Sequence, residues 1–216
     1  MNKLFPYQTE DIIEVGIDEA GRGTLFGPVY IAGVILPNNI LELCDESDII
    51  IRDSKKLSKK NRERACEFIQ NIALDYSIIS KDNNIIDCKN IFATTMEGMH
   101  DVVKKLSIKP DIILVDGNHF NIYRDEVGEL IPHQCVIKGD DTYMSIAAAS
   151  ILAKTYKDKY IEDLLKEYPE LDKYDLSNNS GYGTQNHIDA IKIHGLTKYH
   201  RKTFGQRTLR SPHLSA

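Results

Sequence analysis

A chain of 216 residues with 42% hydrophobic and 27% charged side chains has the make-up of a soluble protein of one large domain, or a domain with an appendage. No apolar run approaches the roughly 18–20 residues of a membrane span, and residues 1–6 lack the apolar core of a signal peptide. Four singly spaced cysteines (44, 66, 88 and 135) exclude a disulfide framework or a cysteine zinc site and fit a reducing cytoplasm.

The net charge of −5 opposes a nucleic-acid partner only if charge is evenly spread. It is not. Arg52, Lys55, Lys56, Lys59, Lys60, Arg62 and Arg64 crowd one segment against Asp53 and Glu63. Residues 190–216 carry Lys192, Lys198, Arg201, Lys202, Arg207 and Arg210 and no acid. These are either solvated faces or two basic patches flanking an acidic centre.

In chain order, Ile13, Val15 and Ile17 alternate with Glu14, Gly16 and Asp18, the period of a β-strand. The strand ends in Asp18 and Glu19 and then Gly21-Arg22-Gly23. Carboxylates at the carboxyl end of a sheet strand stand where open α/β sheets bind ligands. Glycines leave backbone N–H groups unshielded, so the loop could approach a sugar–phosphate chain closely. The plain alternative is a strand end with solvated acids. Residues 27–37 read as a second strand, and the short connection favours an antiparallel partner. Residues 38–57 show little periodicity and read as loop. Ser58 can cap a helix to about residue 74, with Ala65, Phe68, Ile69, Ile72 and Ala73 on one stripe.

Residues 76–79 form a short strand. One helix is expected over 89–107, with Phe92, Met96, Met99, Val103 and Leu106 facing the core and Pro110 stopping it. Residues 111–117 are an apolar run closed by Asp116 and Gly117, a strand buried on both faces and parallel to its neighbours. Residues 133–138 are a further strand, leading into Gly139-Asp140-Asp141. Adjacent parallel strands would bring Asp18 and Asp116 to one rim. A helix runs from Ser145 to about residue 167, its first half lined with small residues, and Pro169 ends it. A polar loop covers 170–183. Thr184 caps a last helix through His194, with Gly195 beyond it. The tail after Phe204 is expected to be mobile.

Clustered carboxylates repel, at about 4 kcal/mol for two unit charges about 4 Å apart at an effective dielectric of 20. Such a site raises some pKa values or binds cations. Hard oxygen ligands on strand ends suit Mg²⁺ or Mn²⁺, and two such ions can hold a phosphodiester between them. Three acid-tipped strands and two basic patches therefore point to metal-assisted phosphoryl chemistry on a nucleic acid.

Gly16-Ile17-Asp18-Glu19-Ala20-Gly21-Arg22-Gly23 with Gly27-Pro28-Val29 resembles the signature of bacterial ribonuclease HII. So do residues 53–58 (DSKKLS), 115–118 (VDGN), 138–140 (KGD), 145–154 (SIAAASILAK), 180–184 (SGYGT) and 200–204 (HRKTF), in the family's order over about 13–204. The resemblance implies an α/β ribonuclease H-like fold, a five-stranded mixed sheet flanked by helices. It places the catalytic domain at 1–168 and a carboxyl-terminal helical extension and tail at 169–216. It implies endonucleolytic cleavage of the RNA strand of RNA–DNA hybrids, and cleavage 5′ to a single ribonucleotide in duplex DNA, leaving 3′-hydroxyl and 5′-phosphate ends. The family's metal-binding acids fall on Asp18, Glu19, Asp116 and Asp140, which would hold two divalent ions. Asp141 is a competitor on chemistry alone, but the spacing from Lys138 and to Ser145 favours Asp140.

The same resemblance places Gly21, Arg22 and Gly23 on the backbone at the ribonucleotide and matches the family's tyrosine to Tyr182. RNA is told from DNA by its 2′-hydroxyl, and an aromatic face can stack on the following deoxyribose. Lys55, Lys56 and Arg201 are expected to hold phosphates, contacts that position a duplex without reading sequence. Thr24 follows the Gly-Arg-Gly loop where the family most often has proline, so a looser loop exit is expected. About a dozen residues precede the first strand, against the extra amino-terminal domain of ribonuclease HIII. The expected partner is a hybrid or a ribonucleotide-containing DNA duplex, with a monomer acting in the cytoplasm and no membrane. A hybrid-binding module without catalysis and a small-molecule phosphohydrolase are the competing readings. The four acids oppose the first, and the basic patches are superfluous to the second.

Overall fold

The computed structural model describes residues 4–9 and 11–204. Its strands are β1 (Glu14–Ala20), β2 (Val29–Ile35), β3 (Asp75–Lys81), β4 (Ile112–Asp116), the two-residue β5 (Tyr123–Arg124) and β6 (Leu130–Ile131), and β7 (His133–Val136). Five of them form a mixed sheet in the order β3-β2-β1-β4-β7. The short loop after β1 returns the chain antiparallel as β2, and β3 continues antiparallel on β2. β4 lies parallel to β1, and β7 parallel to β4. The helices are α1 (Ile40–Ser47), α2 (Lys59–Ile72), α3 (Asn83–Lys89), α4 (Ile91–Lys105), α5 (Met144–Glu167), α6 (Leu176–Asn179) and α7 (Gln185–His194).

β1 is central, and both its faces are covered. Val15 and Ile17 pack with Met96, Met99, Val102 and Val103 of α4. The other face, with Gly16, Asp18 and Ala20, meets the small-residue half of α5, Ala147 to Ala153. Gly16 is what permits this approach, because a Cβ there would lie 2.2 Å from the carbonyl carbon of Ser145. The alternation expected of β1 is present, but its polar side is buried under α5, with Glu14 and Asp18 each 6% exposed. A third cluster joins Leu25 and Phe26, after β1, to Ile161 and Leu164 of α5 and to Leu171, Tyr174, Leu176, Ala190 and Ile191.

Several local expectations need correction. Residues 38–57 are not all loop. They contain α1, which buries Ile40 and Cys44, and a 3-10 turn at Ser54–Lys56. Eight residues with two buried side chains are too few to show a helical period. The single helix expected over 89–107 is two. Asn90 sits between them at φ 72, and its side chain accepts from Ala93 N to start α4. Phe92 is exposed rather than core, and α4 ends at Lys105, so Pro110 does not stop it and Leu106 lies beyond it. The polar loop over 170–183 holds a 3-10 turn (Pro169–Tyr174) and α6. Ser58 and Thr184 cap α2 and α7 as their chemistry requires, accepting from Asn61 N and His187 N. The expected mobile tail lies outside the described residues.

Candidate active site

The parallel pairing of β1 with β4 puts the carboxyl ends of both strands on one rim. Side chains alternate along a strand, so Asp18 turns toward α5 and Glu19 toward the opposite face. Asp116 ends β4 next door. After β7 the chain turns at Lys138, which is left-handed at φ 58, into the 3-10 turn Gly139–Asp141. Gly139 N donates to Asp116 Oδ1 at 2.7 Å and ties that turn to β4. The result is three carboxylates, Asp18, Asp116 and Asp140, with oxygens all within 4.8 Å of one another. Asp140 is buried, whereas Asp141 points away and pairs with Lys56. Glu19 stands beside this group, with Arg22 Nη1 at 3.3 Å from its carboxylate.

Burial pushes Asp18 well above the usual carboxylate range, and the charges of Glu19 and Asp116 push it further. Ser150 on α5 and the backbone N–H of Glu19, 2.7 Å from Asp18 Oδ1, oppose that rise. Asp140 is pushed up to about 6 by burial, then by Asp116 and Asp53. Glu19 is raised by burial although Arg22 pulls it down. The site therefore concentrates negative charge in a poorly solvated place, where a carboxylate favours either a proton or a cation. Lys55 answers part of this charge from outside. Its ammonium lies 3.9 Å from Asp140. Burial pulls that ammonium down, but Asp140, Asp53, Asp18 and Asp116 together carry it above its ordinary value.

The recognition residues inferred from the sequence lie along the same rim. Gly21 is at φ 89, and a Cβ there would stand 3.1 Å from the carbonyl of Pro28. Thr24 is buried, and its hydroxyl donates to Gly21 O at 3.0 Å. At this loop exit, where a looser turn is expected of Thr24, the side chain makes a bond that proline cannot make. Residues 24 and 182 are bridged antiparallel, which brings Tyr182 to the loop. Tyr182 is 40% exposed, and the Lys157 ammonium lies 4.8 Å from its ring centroid.

Of the phosphate contacts expected from the sequence, Arg201 changes role and Lys56 is paired with an acid. Arg201 is fully buried. Its Nε donates to Gly27 O at 2.9 Å, Nη1 to Arg22 O at 3.1 Å and Nη2 to Gly21 O at 2.7 Å. A guanidinium spent on three carbonyls under the loop cannot hold a phosphate, so Arg201 shapes the loop instead. Lys56 is engaged with Asp141 and lies 3.9 Å from Asp53, beside the acids rather than over them. Lys55 keeps a free, exposed ammonium face.

Sequence reading missed the support around these groups. Asp53 is buried, accepts from Lys55 N at 3.0 Å and faces Asp140. Asp158 of α5 gathers Arg62 at 2.9 Å, Lys154 at 2.8 Å and Lys157 at 3.4 Å. Burial, then the Lys154 charge, lowers Lys157 to about 8. The spacing of Lys154, Lys157 and Asp158 along one helical face was a usable signal.

A five-stranded mixed sheet with helices on both faces and acids gathered at one rim defines the ribonuclease H-like class of nuclease. A solved structure of ribonuclease H2 from Pyrococcus horikoshii OT3 superposes with a TM-score of 0.71 at 26% identity, covering 92% of this chain and 99% of that one. Bst-RNase HIII in complex with Mn²⁺ shares the fold at 19% identity, with a TM-score of 0.69 over 94% of this chain and 70% of that one. The family model for ribonuclease HII matches residues 15–207. Ribonuclease HII of Bacteroides thetaiotaomicron is 47% identical over 201 residues, 93% of this chain and 94% of that protein. The chain belongs to the ribonuclease HII family and is a nuclease that hydrolyses phosphodiester bonds.

Proposed function

We propose that the chain cleaves the RNA strand of RNA–DNA hybrids internally, and nicks duplex DNA 5′ to a single embedded ribonucleotide, leaving 3′-hydroxyl and 5′-phosphate ends. The observation that carries this reading is the meeting of Asp18, Asp116 and Asp140 oxygens within 4.8 Å at the sheet rim. Every donor in that group is a hard carboxylate oxygen, the set that suits Mg²⁺ or Mn²⁺. The burial that raises Asp18 and Asp140 is a cost that divalent cations would relieve. Asp18, Asp116 and Asp140 would hold two ions, with Glu19 the fourth candidate beside them. Bound there, such ions supply Lewis acidity to the phosphodiester and a nucleophile from water at neutral pH.

The protein's own groups orient the substrate. Arg22 and Gly23 are exposed, with Gly21 buried beneath them, and this loop would meet the 2′-hydroxyl side of a ribonucleotide, the group that separates RNA from DNA. The Tyr182 ring offers a face to the next deoxyribose. The Lys55 ammonium, above the acids, is placed for a backbone phosphate, and Lys56 is a second such contact if it exchanges Asp141 for phosphate. Bst-RNase HIII, with Mn²⁺ bound, supports the choice of ion. We read the chain as a monomer working on cytoplasmic nucleic acid. Among the described residues no helix is long and apolar enough to cross a membrane.

The test is a nicking assay on three duplexes: one with a single ribonucleotide, a long RNA–DNA hybrid, and an all-DNA control. Each is run with Mg²⁺, Mn²⁺ or chelator. Metal-dependent cuts in the first two, 5′ to the ribonucleotide in the first, are expected. Cleavage in chelator, or none of the single-ribonucleotide duplex with either metal, would overturn the reading.

A further inference from the structure

Two buried histidines stand behind the recognition residues, and the nuclease chemistry above does not use them. His187 and His200 are both fully buried, with Nε2 atoms 3.2 Å apart. Their protonation is fixed from both ends. The backbone N–H of Thr197 donates to His200 Nδ1 at 2.9 Å, with the Thr197 hydroxyl 2.8 Å from the same nitrogen. A backbone N–H only donates, so His200 Nδ1 is bare and its proton is on Nε2. That proton faces His187 Nε2, which must accept. The His187 proton is then on Nδ1, and Nδ1 lies 2.9 Å from the carbonyl oxygen of Tyr182. A carbonyl only accepts, so the far end requires the same tautomer independently. The chain of donation runs Thr197 → His200 → His187 → Tyr182.

The next residue along, Arg201, holds the other recognition element through Gly21 O, Arg22 O and Gly27 O. Residues 24–26 lie between the two. Leu25 N donates to Gly181 O at 2.8 Å, and Arg201 N donates to Leu25 O at 2.9 Å. Residue 24 is bridged to Tyr182, and residue 26 to His200. The dipeptide His200-Arg201 thus reaches the Tyr182 carbonyl through His187 with one side chain and the Gly-Arg-Gly loop directly with the other.

We propose that His187, His200 and Arg201 are positioning residues, a neutral imidazole relay and a buried guanidinium that hold Tyr182 and the Gly21–Gly23 loop at one spacing and so set the preference for a single ribonucleotide. The inference rests on the recognition roles proposed above. Both imidazoles stay neutral, because burial lowers His187 and carries His200 down to about 4. The surroundings agree, since Phe26 and Tyr174 rings flank the pair while Asp175 pulls His187 the other way without overcoming burial. A second proton would set two N–H groups against each other. Misplacing a substrate-orienting group by about 1 Å costs on the order of 10²-fold in rate.

Two substitutions at position 187 separate positioning from packing. His187→Asn puts an amide N–H near the place of Nδ1 and keeps the bond to Tyr182 O. His187→Gln puts its amide near Nε2, keeps a partner for His200 and releases Tyr182. The readout is the ratio of kcat/KM on the single-ribonucleotide duplex to that on the long hybrid. His187→Gln is expected to lower the ratio by about 10- to 100-fold, and His187→Asn, which keeps the Tyr182 bond but leaves His200 Nε2 without its acceptor, by a clearly smaller factor. A purely structural role would move both rates together and favour glutamine, the nearer in size. A ratio within about threefold of the parent in folded His187→Gln protein overturns the inference alone. A parent that fails to nick the single-ribonucleotide duplex overturns the proposed function, and this inference with it. If neither variant folds, ¹⁵N NMR of the imidazoles in the parent protein decides. Nδ1–H on His187 and Nε2–H on His200 from pH 6 to 8 support the relay, and equal tautomers or a charged ring at pH 7 overturn it.

Discussion

Asp116→Asn should make the metal-free protein more stable while abolishing cleavage. Asp116 shares the rim with Asp18 and Asp140 at separations within 4.8 Å. Two unit charges at that distance repel by about 3.5 kcal/mol at an effective dielectric of 20. Asp116 is only half-buried, so solvent screens part of this and the relief on removing it is smaller, about 2 kcal/mol near pH 8. Asparagine keeps an oxygen for the bond from Gly139 N, so the turn carrying Asp140 should survive. For a chain of this size about 2 kcal/mol is a rise in Tm of roughly 4–8 °C. The assay is thermal unfolding in chelator and then with Mn²⁺ or Mg²⁺. Metal that binds only the folded state stabilises by mass action, so the parent's Tm should climb with metal and the variant's should hardly move. The order of the two proteins then reverses at saturating metal. A variant no more stable than the parent in chelator, or one that metal stabilises equally, would refute the electrostatic account.

The remaining predictions concern charge, proton and loop. In chelator, stability should fall as pH rises. The folded-state pKa of Asp140 (about 6) and that of Asp18 lie above their unfolded values, so the folded protein binds more protons and loses that advantage as these groups ionise. With screening at the open rim, the loss between pH 5 and 7 is about 1–2 kcal/mol, read as a drop in Tm, and a flat or rising profile would contradict it. Lys55→Ala should reduce the slope of log K for duplex binding against log salt by about 1. Arg201→Gln should leave that slope unchanged and lower stability by about 2 kcal/mol or more through unpaired carbonyls. Equal slopes for the lysine variant and parent would remove Lys55 from the phosphate contacts. Thr24→Val should cost about 1 kcal/mol by losing the hydroxyl bond to Gly21 O, and an unchanged Tm would show that this bond does not hold the loop.

Local periodicity and capping chemistry were legible in the sequence by itself. The alternation through Ile13, Val15 and Ile17 marked β1, the apolar run before Asp116 marked β4, and Ser58 and Thr184 marked the starts of α2 and α7. These signals survive because each depends on neighbours within a few residues. The acids could be named for the same reason, as residues at strand ends beside glycine. Their grouping could not be read locally. It required β4 to lie parallel beside β1 and a left-handed Lys138 to swing Asp140, not Asp141, into the buried rim. Arg201 shows the limit most plainly. Arginine is mostly exposed in proteins, and nothing near position 201 reveals that three carbonyls from residues 21, 22 and 27 close over it. Which charged side chain meets solvent and which is enclosed is decided by distant segments packing together, and only the tertiary structure contains that arrangement.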